Sequence, residues 1–202
     1  MLVASAGVSV FAAVSVLGAG VTISLTPATA SAGSSGDAFD VDLINMSSAP
    51  ITVGAFSFQL STANTNITFT GATTSTAATY VFSGNSAFGP DIGAASGQNL
   101  SGSDLAATPL SGTAVGVGDT FGLGHVLFDV SAGAASGTFP VDLAVFPDTS
   151  LSDPSGNNIP IDTLLPGEIT IPNAGTAPEP SSLILLAIGV AALISVAKFR
   201  RA

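Results

Sequence analysis

Asp40 and Asp42 lie two positions apart in the run FDVDL, which puts both carboxylates on one side of an extended strand. A carboxylate pair could serve glycoside hydrolysis, but that chemistry needs the two groups flanking a cleft, usually with aromatic sugar platforms. The chain has no Trp and a single Tyr, Tyr80, so a solvated strand face is the expectation for Asp40 and Asp42. His125 is the only histidine and cysteine is absent. No thiolate nucleophile or disulfide is available, and a zinc site would have to recruit several carboxylates around one imidazole. His125 falls on the outward side of HVLFDV, and no G-x-S-x-G turn exists to present a serine to it. A surface histidine and a non-enzymatic protein follow. In DTSLSDPSGNN, Asp148, Asp153 and Asn157 offer the oxygen ligands that calcium takes. The spacing differs from an EF-hand loop and no bidentate Glu follows, so an Asx-rich turn is favoured and no cofactor is expected.

Charge narrows the partners. The chain has 202 residues and a formal net charge of −10, and its only basic residues are Lys198, Arg200 and Arg201. Everything before Lys198 lacks the cations that neutralise phosphates, which argues against nucleic acid as a partner. Charged residues are 8% of the chain, far below the roughly 25% usual in soluble domains. Ser, Thr, Asn and Gly must therefore build the polar surface. With 47% hydrophobic residues and 12 Phe, there is enough apolar material for a core.

The placement of the three cations has its own logic. They follow SSLILLAIGVAALISVA, a charge-free run from Ser181 to Ala197. As a helix this run would span about 25 Å, just short of a 30 Å hydrocarbon core. Leu183, Ile184, Leu185, Leu186, Ile188, Val190, Leu193, Ile194 and Val196 supply roughly −3 to −5 kcal/mol toward insertion. Terminal Lys and Arg reach the headgroups and stay cytoplasmic, leaving the rest of the chain outside. One C-terminal transmembrane helix with a basic tail is predicted over 181–202. At the other end, residues 1–20 read as the apolar part of a secretory signal, with cleavage near Gly18 to Gly20, although no Lys or Arg opens it. A second small-residue stretch, Ala30-Ser31-Ala32, would discard VTISL, which reads as a strand.

Between these ends the period is two. FDVDL turns Phe39, Val41 and Leu43 inward, AFSFQL does so for Phe56, Phe58 and Leu60, and HVLFDV for Val126, Phe128 and Val130. FPVDLAV points Phe139, Val141, Leu143 and Val145 the same way, and NITFTG, TYVFSG, NIPID and GEITI are shorter strand candidates. Gly84–Gly118 is Gly/Ser-rich and reads as long loops around one or two weak strands. Many short half-buried strands with turn signals between them predict an all-β antiparallel sandwich over 21–172. Residues 173–180 form a Pro-rich linker. Asn45, Asn66 and Asn99 open N-x-[ST] sequons, and the Thr-rich stretch Thr62–Thr79 could carry O-linked sugar as easily as it could form a polar edge.

Pro178, Glu179 and Pro180, one short apolar helix and a terminal basic cluster, in that order, resemble the PEP-CTERM sorting signal of Gram-negative bacteria. The resemblance implies export, transient anchoring in the inner membrane with the sandwich outside, and processing by an exosortase, a membrane enzyme with a cysteine nucleophile. It also implies a destination at the cell surface or outside the cell, and a structural or adhesive role with exopolysaccharide in biofilm. The stretches GDAFDVDLIN, VGAFSFQL, HVLFDVSAG and TSLSDPSGNNIPI followed by GEITI resemble the bacterial cohesin-like (Ig-like) β-sandwich. That likeness implies a non-catalytic module, with a polysaccharide or a surface protein as the alternative kind of partner.

Overall fold

Alternation of large apolar and small polar residues leaves each strand with one face that must be covered, and two sheets covering each other meet that need. The computed structural model describes residues 20–108 and 110–173. The strands, in chain order, are β1 (Val21–Leu25), β2 (Ala28–Thr29), β3 (Asp37–Asn45), β4 (Ile51–Val53), β5 (Ala55–Ser61), β6 (Ile67–Thr73), β7 (Gly93–Ser96) and β8 (Asn99–Leu105). They continue with β9 (Thr113–Val115), β10 (Thr120–Val130), β11 (Gly137–Leu143), β12 (Ser150–Ser152), β13 (Asn158–Ile159), β14 (Thr163–Leu165) and β15 (Gly167–Ile171). No helix occurs among the described residues, as the absence of helical spacing predicts.

One sheet has the order β14-β1-β3-β10-β6. In the other, β5 is the hub. It pairs along its whole length with β8, whose far edge holds β7. Its opposite edge is shared by β12, which continues to β13, and by β11, which continues through β15 to β2. A separate β4-β9 ribbon runs beside them. All pairings are antiparallel except β1 with β14 and β15 with β2, which are parallel.

Phenylalanines fill the space between the sheets. Phe39 meets Phe69 edge-on at 6.2 Å between ring centroids and Phe128 at 5.9 Å. Phe56 stacks on Phe58 at 6.0 Å and on Phe82 at 5.8 Å. Such pairs add roughly 0.5–1.5 kcal/mol each beyond the area they bury. The inward sets Phe39, Val41, Leu43; Phe56, Phe58, Leu60; and Val126, Phe128, Val130 are all buried as the period-two pattern predicts.

The structure corrects four local expectations. Val145 lies beyond the end of β11 and is 72% exposed, so the alternation of FPVDLAV does not carry past Leu143. Within TYVFSG, Tyr80 makes one bridge to Gly122, and the chain then turns, with Ser83 N–H donating to the Tyr80 carbonyl. Tyr80, Val81 and Phe82 are nevertheless all buried, so they plug one end of the core without forming a strand. Gly84–Gly118 contains three strands, and one of them, β8, pairs over seven positions with the hub strand β5. The fourth correction concerns the outward face of β3, described next.

Candidate functional site

Asp40 does not face solvent. It is 6% exposed, because the segment after β6 folds over the outer face of β3 and Ala77 N–H donates to Asp40 Oδ2 at 2.7 Å. Thr76 packs over Gly122 so closely that a Cβ there would lie 2.2 Å from the Thr76 hydroxyl oxygen. His125, opposite Asp40 across the β3–β10 pairing, places Nδ1 2.6 Å from Asp40 Oδ1. The histidine is half-buried and tied to the carboxylate, where the sequence suggested an independent surface residue. Asp42 is also half-buried, and its Oδ1 has no hydrogen-bond partner among the described residues. Burial, reinforced by the Asp40 charge, pushes the Asp42 carboxyl up to about 6. The solvated-face expectation for the pair therefore fails. An oriented His–Asp pair is half of a nucleophile-activating arrangement, but no serine hydroxyl bonds to His125 among the described residues. What the pair does here is pin the overhanging segment to the sheet.

A second polar cluster lies in the core, in the stretch read as loop. Asp104 is 1% exposed. Its Oδ2 accepts from Tyr80 Oη at 2.6 Å and from the Ser86 hydroxyl. Its Oδ1 accepts from the backbone N–H groups of Phe88 at 3.0 Å and Leu105 at 2.8 Å. Burial and the bond to Asp104 push the Tyr80 phenol well above its ordinary range. The alternation of NLSGSDL contains the signal for this site. Leu100, Gly102 and Asp104 share one parity and are buried, while Asn99, Ser101 and Ser103 are exposed.

The calcium candidates do not form one site. Asp153 Oδ1 accepts from Ser155 N–H at 2.8 Å and Asn157 N–H at 2.9 Å, and Oδ2 accepts from Asn157 Nδ2 at 2.9 Å. Gly156, at φ +82°, completes the tight turn joining β12 to β13. The Asn157 side chain and then its backbone hold the Asp153 carboxyl below its ordinary value. Asp153 and Asn157 are thus partners in one Asx turn. Asp148 lies elsewhere, at the rim of the depression described next. Among the described residues no three His, Asp or Glu side chains converge on a point where a metal could sit.

The remaining candidate is a surface. On the outer face of the hub sheet, Ser57 lies between Ser150 and Ser103, and Gln59 beside Ser101. Ser61 lies beside Asn99, which in turn pairs with Ser96. Ser57 Oγ and Ser150 Oγ are 2.9 Å apart. The array is uncharged and built from short hydroxyl and amide side chains. A shallow depression of about 490 Å³ opens on it, with Phe88, 55% exposed, on one side and the carboxylates of Asp91 and Asp148 at its rim. Sequence reasoning missed this face because it counts strands one at a time, whereas the array exists only once β12, β5, β8 and β7 are in register.

Pro178, Glu179, Pro180, the apolar run Leu183–Val196 and the basic residues Lys198, Arg200 and Arg201 lie outside the described residues, as do all but the last residue of the stretch 1–20 expected to be a secretory signal. No helix long and apolar enough to cross a membrane occurs among those that are described. Residues 176–201 match the PEP-CTERM protein-sorting motif. No curated protein matches the chain. Among solved structures, the sixth cohesin of scaffoldin B from Acetivibrio cellulolyticus, in complex with a dockerin, superposes with a TM-score of 0.58 at 14% identity, covering 76% of this chain and 99% of that one. A cohesin from Clostridium thermocellum, also in complex with a dockerin, gives 0.56 at 13% identity, with 76% and 99% covered. A non-cellulosomal cohesin from the archaeon Archaeoglobus fulgidus gives 0.54 at 19% identity, with 76% and 92% covered. The described chain therefore has the cohesin fold, an all-β sandwich, and a PEP-CTERM protein-sorting motif follows it.

Proposed function

We propose that this is a non-enzymatic exported protein, sorted by its C-terminal segment, whose sandwich has a structural or adhesive role at the cell surface or in extracellular exopolysaccharide and biofilm. The observation that carries the sorting half is the motif match over 176–201. In this reading residues 1–20 are a cleaved leader, 21–172 the sandwich and 173–180 a linker. Residues 181–202 are a transmembrane helix ending in the cytoplasmic cluster Lys198, Arg200 and Arg201. Pro178-Glu179-Pro180 then sits at the outer boundary of the inner membrane, within reach of an exosortase, which releases the sandwich from its transient anchor.

A second reading makes the sandwich a binding module for a polysaccharide or a protein. The Ser57, Gln59, Ser101 and Ser103 array beside exposed Phe88 favours it, since such a face offers short hydrogen-bonding side chains next to an aromatic ring. Two of the cohesins of similar fold were solved with dockerins.

The sorting reading is tested by the mass and location of the chain in a host with its exosortase. Replacing Pro178, Glu179 and Pro180 by alanine should leave the protein inserted but unprocessed. An intact tail on the mature protein, or normal processing of the alanine variant, would make the tail a permanent anchor. Glycan arrays and partner capture with the released chain, comparing the original with Ser57→Lys, separate the binding reading from a purely structural role.

A further inference from the structure

The first strand of the sandwich begins at a clamp. Val21 N–H donates to Asp162 Oδ2 at 3.0 Å, and Asp162 N–H donates back to the Val21 carbonyl at 2.8 Å. The two residues are 141 positions apart, and the clamp starts the parallel pairing in which Thr22 faces Thr163. Gly20 precedes it in a space with no room for a side chain, where a Cβ would lie 2.1 Å from Asp162 Oδ2. β1 itself cannot be dispensed with, since Ile23 is fully buried and the strand sits between β3 and β14. A cut after Ala32 would remove it. In the sequence, Gly18 and Gly20 are the small residues that a leader peptidase requires three and one positions before its cut.

We propose that the chain is cut between Gly20 and Val21, and that the new α-ammonium of Val21 forms an ion pair with Asp162. This rests on the export reading above and fixes its first processing step. A membrane-bound leader peptidase adds water across the peptide bond, leaving a carboxylate on Gly20 and an amine on Val21, which takes up a proton at neutral pH. The existing N–H···O contact becomes charge-assisted, which strengthens it. The loss is small. Met46 N–H gives up its bond to the Gly20 carbonyl, but Met46 lies at the surface, where water replaces it. The chemical setting makes the pairing selective. No Lys or Arg occurs before residue 198, so the new terminus brings the sandwich an ammonium group that none of its own side chains supplies.

N-terminal sequencing and intact mass of the full chain, recovered after export, test the cut. A first residue of Val21 supports it, and any other first residue overturns it. An exported protein that still begins at Met1 would overturn the leader reading as well, whereas a different cut would leave export standing. The ion pair is tested on that same exported protein with Asp162→Asn. Its Tm should fall by about 1–3 °C near neutral pH. An α-amine titrates near pH 8 when free and higher beside a carboxylate, so its stabilisation is full below that range and lost above it. The gap between original and variant should therefore narrow by half or more at about pH 10. An unchanged gap would mean that Asp162 still holds an amide, and the ion pair would be wrong.

Discussion

Tyr80 Oη donates to Asp104 Oδ2 across 2.6 Å in the core, although Tyr80 follows β6 and Asp104 sits near the end of β8. The same carboxylate holds the Ser86 hydroxyl and the backbone of Phe88 and Leu105. One buried side chain thus organises the whole crossing from one sheet to the other. Asp104→Ala would orphan all of these donors at once, and should cost about 3 kcal/mol or more. Tyr80→Phe removes a single donor and should cost about 1–2 kcal/mol. Urea denaturation of the two variants and of their double mutant measures the coupling, and additive losses would contradict a shared network.

Asp42 gives the fold a pH dependence of unusual sign. Its carboxyl is raised to about 6, so between the ordinary carboxylate value and 6 the folded chain binds more protons than the unfolded one. Its contribution to stability therefore rises as pH falls through that window. Asp42→Asn should be more stable than the original near neutral pH, and the difference should shrink toward about pH 5. Melting curves of both proteins across that range check it. A gap that does not change with pH would mean that Asp42 is not the group responsible.

Gly102 lies on the inner face of β8, and a Cβ there would sit 2.2 Å from Phe58 Cζ. Phe58 is fully buried and stacked on Phe56, so it has nowhere to retreat. Gly102→Ala should cost about 1–3 kcal/mol by overpacking. The companion change Phe58→Leu should recover part of that loss in a denaturation series.

Calcium at millimolar concentration should leave the Tm of the original protein nearly unchanged. Asp153 already accepts three hydrogen bonds within its own turn, and Asp148 lies apart from it. A rise of many degrees that Asp153→Ala abolishes would establish a metal site there.

The strands that could be read directly are those whose inward residues are large and recur at every second position. β3, β5 and β10 meet that condition along their inner faces, and the period-two pattern located them. Local pattern could not report a second layer over the outer face of β3. Asp40 has the alternation of a solvent-facing residue, and its burial comes from Ala77, 37 positions away. Tyr80-Val81-Phe82 misled for the opposite reason, because burial of consecutive residues reads as a strand when the chain is in fact turning inside the core. β8 was hidden by Gly102, which leaves the inward row without a side chain at the point where Phe58 needs the space. Of the candidate residues, the Asx turn of Asp153 and Asn157 was legible because its bonds span only two to four positions. The hydroxyl array was not, because its neighbours come from four separate strands.

The two parallel pairings, β1 with β14 and β2 with β15, set how the sandwich responds to tension. Strands from the beginning of the domain lie alongside strands from its end and run the same way, so a pull between the two chain ends slides them past each other. The bonds of Thr22, Ile23 and Ser24 with their β14 partners, and of Ala28 and Thr29 with β15, are then loaded together, where a hairpin would open one bond at a time. A domain closed in this way resists being drawn out lengthwise.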